Sequence, residues 1–405
     1  MSDAPRPTGP RSSGPLSDLR VIELGQLVAG PFCAQLFADF GADVIKVEPP
    51  GRGDPLREWG REGFPLWWSV LGRGKRTITA NLREEAGQDL VRRLVADADI
   101  LVENFRPGTM ERWGLGYEAL SAINPGLIMV RISGYGQTGP YASRPGYASV
   151  GEAMGGLRYV MGEPDRVPSR AGISLGDSLT GTFATVGALA ALHHRERTGE
   201  GQVVDASIYE SVLAIMEGLV GEYAVEGHTR ERSGSILPNI APSNVYRASD
   251  GMVIIAANQD TVFGRLAEAI GRPELADDPR FSTHIARGER QGELDGIIAD
   301  WARSRTVEAI EAVMQGHAVP VGRLYRAADM LEDPHFAARE AIVRLASERF
   351  GEVPMQNVAP KLSRTPGRVR WAGPESLGQH TEEVLTELLD LTPEQIGKLR
   401  DSGIV

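Results

Sequence analysis

One carboxylate stands out by its surroundings. Asp177 lies in Gly176-Asp177-Ser178, with Gly172 and Gly181 close by, immediately before the apolar run Leu179–Leu192. The pattern predicts a long small-residue helix following Asp177. Two roles fit an acid at that point. As an N-cap, its side chain accepts from the first backbone N–H groups of the helix. As a nucleophile it uses the same physics: those N–H groups and the helix dipole favour the anion, and an ionised carboxylate can attack an acyl carbon to form an anhydride. The small residues around it leave room for a bulky acyl group. A second grouping is basic. Between positions 52 and 76 stand Arg52, Arg57, Arg61, Arg73, Lys75 and Arg76 against three acids. Asn104-Phe105-Arg106-Pro107-Gly108 and Arg112 follow. Such cations either hold phosphates through charge-assisted hydrogen bonds or form an ordinary solvated surface.

Other chemistries lack their residues. The glycine-bounded stretch Gly25-Gln-Leu-Val-Ala-Gly30-Pro31 does not have the G-x-G-x-x-G spacing that brings backbone against a pyrophosphate. Glu48 therefore reads as a surface acid rather than a ribose ligand, and a nicotinamide dinucleotide is not expected. The seven histidines fall at no metal-ligand spacing, and Cys33 is the one cysteine, so neither a metal centre nor a disulfide is expected. No G-x-S-x-G nucleophile elbow occurs. A net charge of −11 over 405 residues argues against non-specific nucleic-acid binding. With no run of 18 apolar residues and no signal-like start, the chain is expected to be cytoplasmic and free of the membrane, with residues 1–15 a disordered tail.

The elements that must position these residues alternate. β-type runs at Arg20–Leu24, Asp43–Val47, Thr77–Ala80, Ile100–Glu103, Leu127–Ile132 and Gln202–Ala206 are separated by helical runs at Pro31–Phe40, Glu84–Asp97, Thr109–Trp113 and the helix after Asp177. That helix stops at Arg195, Arg197 and Gly199, basic residues in a last turn followed by glycine. Strand, helix and strand within about 30 residues form parallel βαβ units, so a doubly wound α/β fold is expected. Residues 16–225 read as that doubly wound domain, 226–250 as a linker, 251–330 as a second, smaller region, and 331–405 as a last stretch that looks detached from it. In such a sheet ligands bind beyond the carboxyl ends of the strands.

Taken in order, several stretches resemble the family III (CaiB–BaiF type) CoA-transferases, nearly from end to end. They are PLSDLRVIELGQLVAGPFCAQLFADFGADVIKVEPPGRGDP (from Pro15), GKRTITANL (from Gly74), ADILVENFRPG (from Ala98), ISGYGQTGP (from Ile132), GISLGDSLTGTFA (from Gly172), RTGEGQVVDASIYESVL (from Arg197), VPVGRLYRAADMLEDPHF (from Val319) and LGQHTEEVL (from Leu377). The resemblance implies that Asp177 is the catalytic nucleophile, passing through an aspartyl–acyl anhydride and an aspartyl-CoA thioester. It implies CoA contacts at Val28, Ala29, Lys75, Asn104, Phe105, Arg106, Arg112 and Tyr135. It also implies a large Rossmann-like domain formed by both chain ends, with 331–405 a return segment completing what 16–225 begins and 251–330 an inserted smaller α+β domain. An interlocked homodimer, acyl-CoA and carboxylic acids as substrates, and no permanently bound cofactor are implied as well.

Two departures narrow the reading. Val28 stands where formyl-CoA-type members carry glutamine, and Gly234-Ser-Ile-Leu-Pro-Asn-Ile-Ala has no glycine run. The racemases of the same fold use a histidine where Tyr147 stands here, so two-base proton transfer loses a partner. A non-catalytic CoA-binding protein would not need Asp177. The segment Tyr147–Gly156 looks most like the succinyl-CoA-dependent branch that acts on malate, citramalate or itaconate. A dicarboxylate needs a cation for its far end, best an arginine. Arg57, Arg144, Arg158 and Arg170 are candidates, beside Tyr147 and Glu152.

Overall fold

Val21 and Ile22 are neighbours in sequence and both fully buried, one on each face of a sheet that is covered on both sides. The computed structural model describes residues 14–405. Residues 1–13 of the expected tail lie outside them. Gly14, also assigned to that tail, packs instead against the Phe40–Gly41 turn, where a Cβ would meet Phe40 O at 2.4 Å.

The chain divides into two compact units. The larger spans residues up to 157, then 171–218 and 337–405. Its sheet has six parallel strands, β1 (Arg20–Glu23), β2 (Asp43–Glu48), β3 (Lys75–Thr79), β4 (Ile100–Glu103), β5 (Ile128–Ser133) and β6 (Val203–Ser207). The order is β3-β2-β1-β4-β5-β6. The expected doubly wound topology is therefore present, and its switch point, where the order reverses, lies between β1 and β4. The expected start of β3 at Thr77 moves back to Lys75, so this lysine is part of a strand rather than of the loop before one.

Helix α1 (Ala29–Asp39) begins two residues before Pro31, the expected first position. Proline is tolerated there because first-turn N–H groups have no intrahelical partner. Helices α2 (Glu85–Ala96), α3 (Ala148–Met154), α4 (Leu175–Thr198), α5 (Ile208–Leu213) and α6 (Thr381–Leu389) complete the parts used below. One face of the sheet is covered by α1 and α4, through Phe37, Ala34, Ala184 and Ala188. The other is covered by α2 and by the end of the chain, through Leu90, Leu94, Val384, Leu385 and Ile404. The last segment also serves the open edge of β3. His380 Nδ1 accepts from Thr77 N (3.1 Å), Thr381 Oγ1 accepts from Thr79 N (3.1 Å), and His380 N donates to Thr77 O (2.9 Å).

α4 starts earlier than the sequence suggested. It begins at Leu175, so Asp177 lies inside the first turn instead of capping it, and the N-cap residue is Ser174. At 24 residues α4 is, among the described residues, one helix long and apolar enough to cross a membrane by length and composition. Its small residues explain that apolarity otherwise: they line the crossing with α1. At Gly181 an added Cβ would lie 2.9 Å from Phe32 Cδ1, 3.0 Å from Ala29 O and 3.1 Å from Cys33 N. The helix stops as expected, with Gly199 at φ +78° and its N–H on Arg195 O (2.7 Å).

The smaller unit holds residues 158–170 and 219–336. Strands β7 (Ser243–Arg247), β8 (Met252–Ala256) and β9 (Val321–Arg323) form an antiparallel sheet in the order β7-β8-β9. Val253, Ile255, Phe263, Leu266, Leu294 and Ile298 make its core. The stretch read as a linker, 226–250, contains β7, because Val245 and Tyr246 pair with Ile254 and Val253. In the larger unit, β10 (Ile342–Ser347) and β11 (Gly351–Gln356) form a hairpin within the return segment.

The tight crossing sets a stability test. Gly181→Ala forces main chain apart at Ala29 and Cys33. The expected loss is about 1–3 kcal/mol, overriding the roughly 1 kcal/mol that alanine gains over glycine within a helix. Urea unfolding of the two proteins measures it.

Candidate active site

The loop between β1 and α1 lies beyond the carboxyl end of the central strand, and polar side chains hold it at every step. Gly25 O accepts from Lys46 Nζ at 2.7 Å. Asn104, just past β4, takes both polar groups of Gln26: its Oδ1 accepts from Gln26 N and its Nδ2 donates to Gln26 O, each at 2.8 Å. Leu27 sits at φ +64°, a left-handed backbone that costs a leucine about 1–3 kcal/mol. Its N–H donates to Asp54 Oδ1 at 3.0 Å. Pro31 O accepts from Lys75 Nζ at 2.7 Å. The two glycines of the loop are there because it folds back on itself: a Cβ on Gly30 would meet Gly25 Cα at 3.1 Å and Asn104 Cγ at 3.4 Å.

The charges beneath the loop are buried together. Glu23, the last residue of β1, puts Oε1 2.8 Å from Lys46 Nζ and Oε2 2.7 Å from Lys75 Nζ. Lys46 also lies 2.8 Å from Asp54 Oδ2. Burial opposes the charge on Lys46, but Asp54, Glu23 and Glu48 outweigh it and hold its ammonium above the ordinary lysine range. Burial pulls Lys75 down to about 8, with Glu23 opposing and the Lys46 ammonium adding to the fall. Lys75 is thus placed inside the protein, on a carboxylate and a carbonyl, and is not presented to a ligand.

Around this centre lie the other sequence-predicted positions. The side chains of Val28 and Ala29 are buried, Val28 against Leu56, Trp68 and Leu71, so a ligand meets this part of the loop through main chain. Phe105 packs edge-on against Trp113, with ring centroids 5.1 Å apart. Arg106 is exposed, as is Arg112, which donates to Thr109 Oγ1. Tyr135 packs against Tyr141. The turn that carries Arg112 is tied to the sheet by Arg131, which donates to Glu103 Oε1 (2.8 Å) and to Glu111 Oε1 (2.7 Å). Glu103 Oε2 accepts from Phe105 N.

A cleft of about 650 Å³ opens beyond β1–β4. It is lined by Gln26, Arg52, Arg83, Phe105 and Trp113 among others. Arg83 and Trp113 were missed by sequence reasoning, although Arg83 comes four residues after β3 ends, where a doubly wound sheet collects its ligands. Arg52 was seen only as one member of a basic run.

Asp177 is on α4, the helix that crosses α1. It lies one turn N-terminal of Gly181, the residue that touches Ala29 O. Glu152 of α3 is buried, and its Oε1 accepts from Gly176 N at 3.1 Å, so a carboxylate from a neighbouring helix satisfies part of the first turn that Ser174 leaves without a side-chain cap. Among the substrate candidates, Arg57 is fully engaged: it grips both oxygens of Glu48 (2.7 and 2.8 Å), donates to Pro374 O and Glu375 O, and lies 3.8 Å over the Trp68 ring. Arg144 is exposed and lies 3.6 Å over Tyr141. Tyr147 is 72% exposed. Arg158 and Arg170 belong to the smaller unit, Arg170 on its surface.

The profile of CoA-transferase family III matches residues 16–381. The chain belongs to CoA-transferase family III. It is 57% identical over 399 residues to the succinyl-CoA–D-citramalate CoA-transferase of Chloroflexus aurantiacus, covering 98% of this chain and 99% of that one. It is 43% identical to the succinyl-CoA–L-malate CoA-transferase beta subunit of the same organism, over 98% of this chain and all of the other. A crystal structure of a CAIB/BAIF family protein from Brucella suis superposes with a TM-score of 0.83 at 36% identity, over 93% of this chain and 100% of that one. The enzyme is therefore a CoA-transferase, and the α/β fold expected from its strand and helix alternation is the family's.

The carboxylate supporting Phe105 gives this transferase a pH signature. Burial raises Glu103 to about 7 from 4.5, against the pull of Arg131. Folded Glu103 holds its proton more tightly than the unfolded chain does, so its contribution to stability is complete below about 4.5 and is lost as pH rises through about 7. Glu103→Gln removes that loss. Relative to the parent, the variant gains stability between pH 5 and pH 8, by up to about 3 kcal/mol, as read by urea unfolding at the two values.

Proposed function

We propose that this enzyme transfers CoA from succinyl-CoA to a C4–C6 dicarboxylate, with citramalate or malate the first acceptors to test. The observation that carries the reading is the near-complete, 57% identical match to the D-citramalate enzyme. Asp177 is the nucleophile. Its carboxylate attacks the succinyl thioester carbonyl, forming an aspartyl–succinyl anhydride and releasing CoA thiolate. The thiolate attacks the aspartyl carbonyl, giving aspartyl-CoA and free succinate. The acceptor carboxylate then attacks that thioester, and the released thiolate takes the acceptor's acyl group from the new anhydride, restoring Asp177. Dividing one hard exchange into anhydride and thioester steps is the gain that covalent catalysis offers.

The nucleotide end of CoA occupies the cleft beyond β1–β4, a volume within the usual range for ligand sites. Arg52 and Arg83 meet its phosphates and Phe105 and Trp113 its base, with Arg106 and Arg112 at the margin. The acceptor's distal carboxylate requires an arginine that is not already engaged as Arg57 is; Arg144 and Arg170 are exposed and suit it. Association as an interlocked homodimer belongs to the same reading, supported by the apolar surface that Phe183, Val186 and Leu189 leave exposed along α4. So does a cytoplasmic setting, where the buried Cys33 thiol, pushed up to about 12 by burial, stays unreactive.

Two experiments test it. Purified enzyme with succinyl-CoA and a panel of acids is expected to turn over dicarboxylates, and transfer confined to monocarboxylates would refute the substrate assignment. Asp177→Ala is expected to lose transfer by at least about 10³-fold, and hydroxylamine added during turnover marks the Asp177 peptide in the parent alone, as peptide mass spectrometry shows. For the cleft, Arg83→Gln and Arg52→Gln each raise KM for succinyl-CoA about 5–20-fold, the worth of one charge-assisted hydrogen bond. Titration with salt reduces the difference.

A further inference from the structure

Glu23, Lys46, Lys75 and Asp54 form a charge-neutral cluster with no more than 1% of any residue exposed. A buried ion-pair group of this kind is weak evidence for stability, since apolar residues of similar volume commonly do as well. Where the cluster's hydrogen bonds go is more informative. Besides pairing with carboxylates, Lys46 donates to Gly25 O near the start of the β1–α1 loop, and Lys75 to Pro31 O in the first turn of α1 that the loop leads into. Asp54 accepts from Leu27 N between them. Glu23 joins the two lysines. The cluster is therefore aimed at the main chain of residues 25–31, which carries Val28 and Ala29 and adjoins Gly181 one turn from Asp177.

We propose that Glu23 and Lys75 are a positioning pair for CoA binding: Lys75 touches no substrate, and by fixing Pro31 O it anchors the first turn of α1 and, through it, holds the β1–α1 loop in the shape that receives the acyl-CoA. The inference rests on the CoA-transferase reading given above and deepens it. A loop already ordered in its binding shape loses little entropy when the ligand arrives, whereas a loosened one must be ordered at that moment. Loss of the clamp therefore falls on acyl-CoA affinity and leaves the chemistry at Asp177 comparatively intact.

The decisive comparison is between Lys75→Met and the double variant Glu23→Gln/Lys75→Met. The single change leaves Glu23 short of a cation and lowers Tm. The double change removes one charge of each sign and is expected to recover most of that Tm. It does not restore the bond to Pro31 O, so KM for succinyl-CoA stays about tenfold high, the worth of one hydrogen bond of this type, with the loss in KM rather than kcat and the acceptor's KM unmoved. Hydrogen exchange at the amides of residues 26–30 is expected to be faster in the double variant than in the parent. A double variant whose KM returns along with its Tm, or whose loss lies in kcat, overturns the proposal. Should the parent fail to transfer CoA from succinyl-CoA, the substrate reading falls, while calorimetric titration with CoA itself and the same amide exchange still decide the clamp: unchanged affinity and exchange refute it. If the double variant does not fold, Lys75→Arg keeps the charge beside Glu23 while displacing the donor from Pro31 O and is read the same way, with unchanged exchange at residues 26–30 again counting against the clamp.

Discussion

Glu23 ends the central strand with both carboxylate oxygens out of reach of water, so each must face a cation, and the two available are lysines from the adjacent strand β2 and from β3 beyond it. Four charges then balance within one dry volume, two from lysines and two from Glu23 and Asp54. The constraint spreads outward from there. The lysines have donors left over and place them on Gly25 O and Pro31 O. Asp54, fixed by Lys46, captures the left-handed Leu27 and begins the next turn through Leu56 N. Glu48 accepts from Asp54 N and grips Arg57, which lies over Trp68. The site's geometry is thus referred to the sheet through a chain of paired charges.

Much of the fold was legible because it depends on periodicity. Short β-branched runs alternating with helical ones give parallel βαβ units and with them the doubly wound class, while the strand order came only with the structure. Asp177 was legible because glycines and an apolar helix surrounded it, although the helix starts before it rather than after. Ser174 and Asp177 stand at capping-box spacing, a signal missed by sequence reasoning. Yet Ser174 makes no side-chain cap, and the acceptor that serves Gly176 N, Glu152, is 25 residues away in sequence from Asp177. The basic run at 52–76 was visible as charge but not as geometry. Arg57 looked like a free cation and is bound to Glu48; Lys75 looked like a phosphate ligand and is inside the protein. A count of charges cannot tell which of them face inward, because that depends on strand register: Val44 pairs with Lys75, which places Lys75 under α1. Arg83 and Trp113 were missed for the complementary reason, since they belong to the cleft through the fold and not through any local pattern.

The two clusters of the large unit divide the labour around the sheet. The face under α1 and α4 is built from small residues, Ala34, Ala38, Ala184, Ala188 and Gly181, so the two helices approach closely and Asp177 is held at a short remove from the β1–α1 loop. The opposite face uses leucine and valine and carries Phe105 and Trp113 at its margin. Close packing on one side and bulk on the other is what sets Asp177, on a long helix, beside a loop from a different part of the chain.

The use of the last residues to finish the first strands has a consequence for synthesis. Leu90, Val91 and Leu94 find their partners in Val384, Leu385 and Ile404, and the edge of β3 finds its acceptors in His380 and Thr381. On the ribosome, some 300 residues emerge between the appearance of that edge and the arrival of its cover. During that interval the nascent chain carries an open strand and an uncovered leucine face, features that recruit other chains. Any product cut short before α6 keeps them permanently. Quality control can therefore tell a finished enzyme from an unfinished one by an edge that the final 25 residues close.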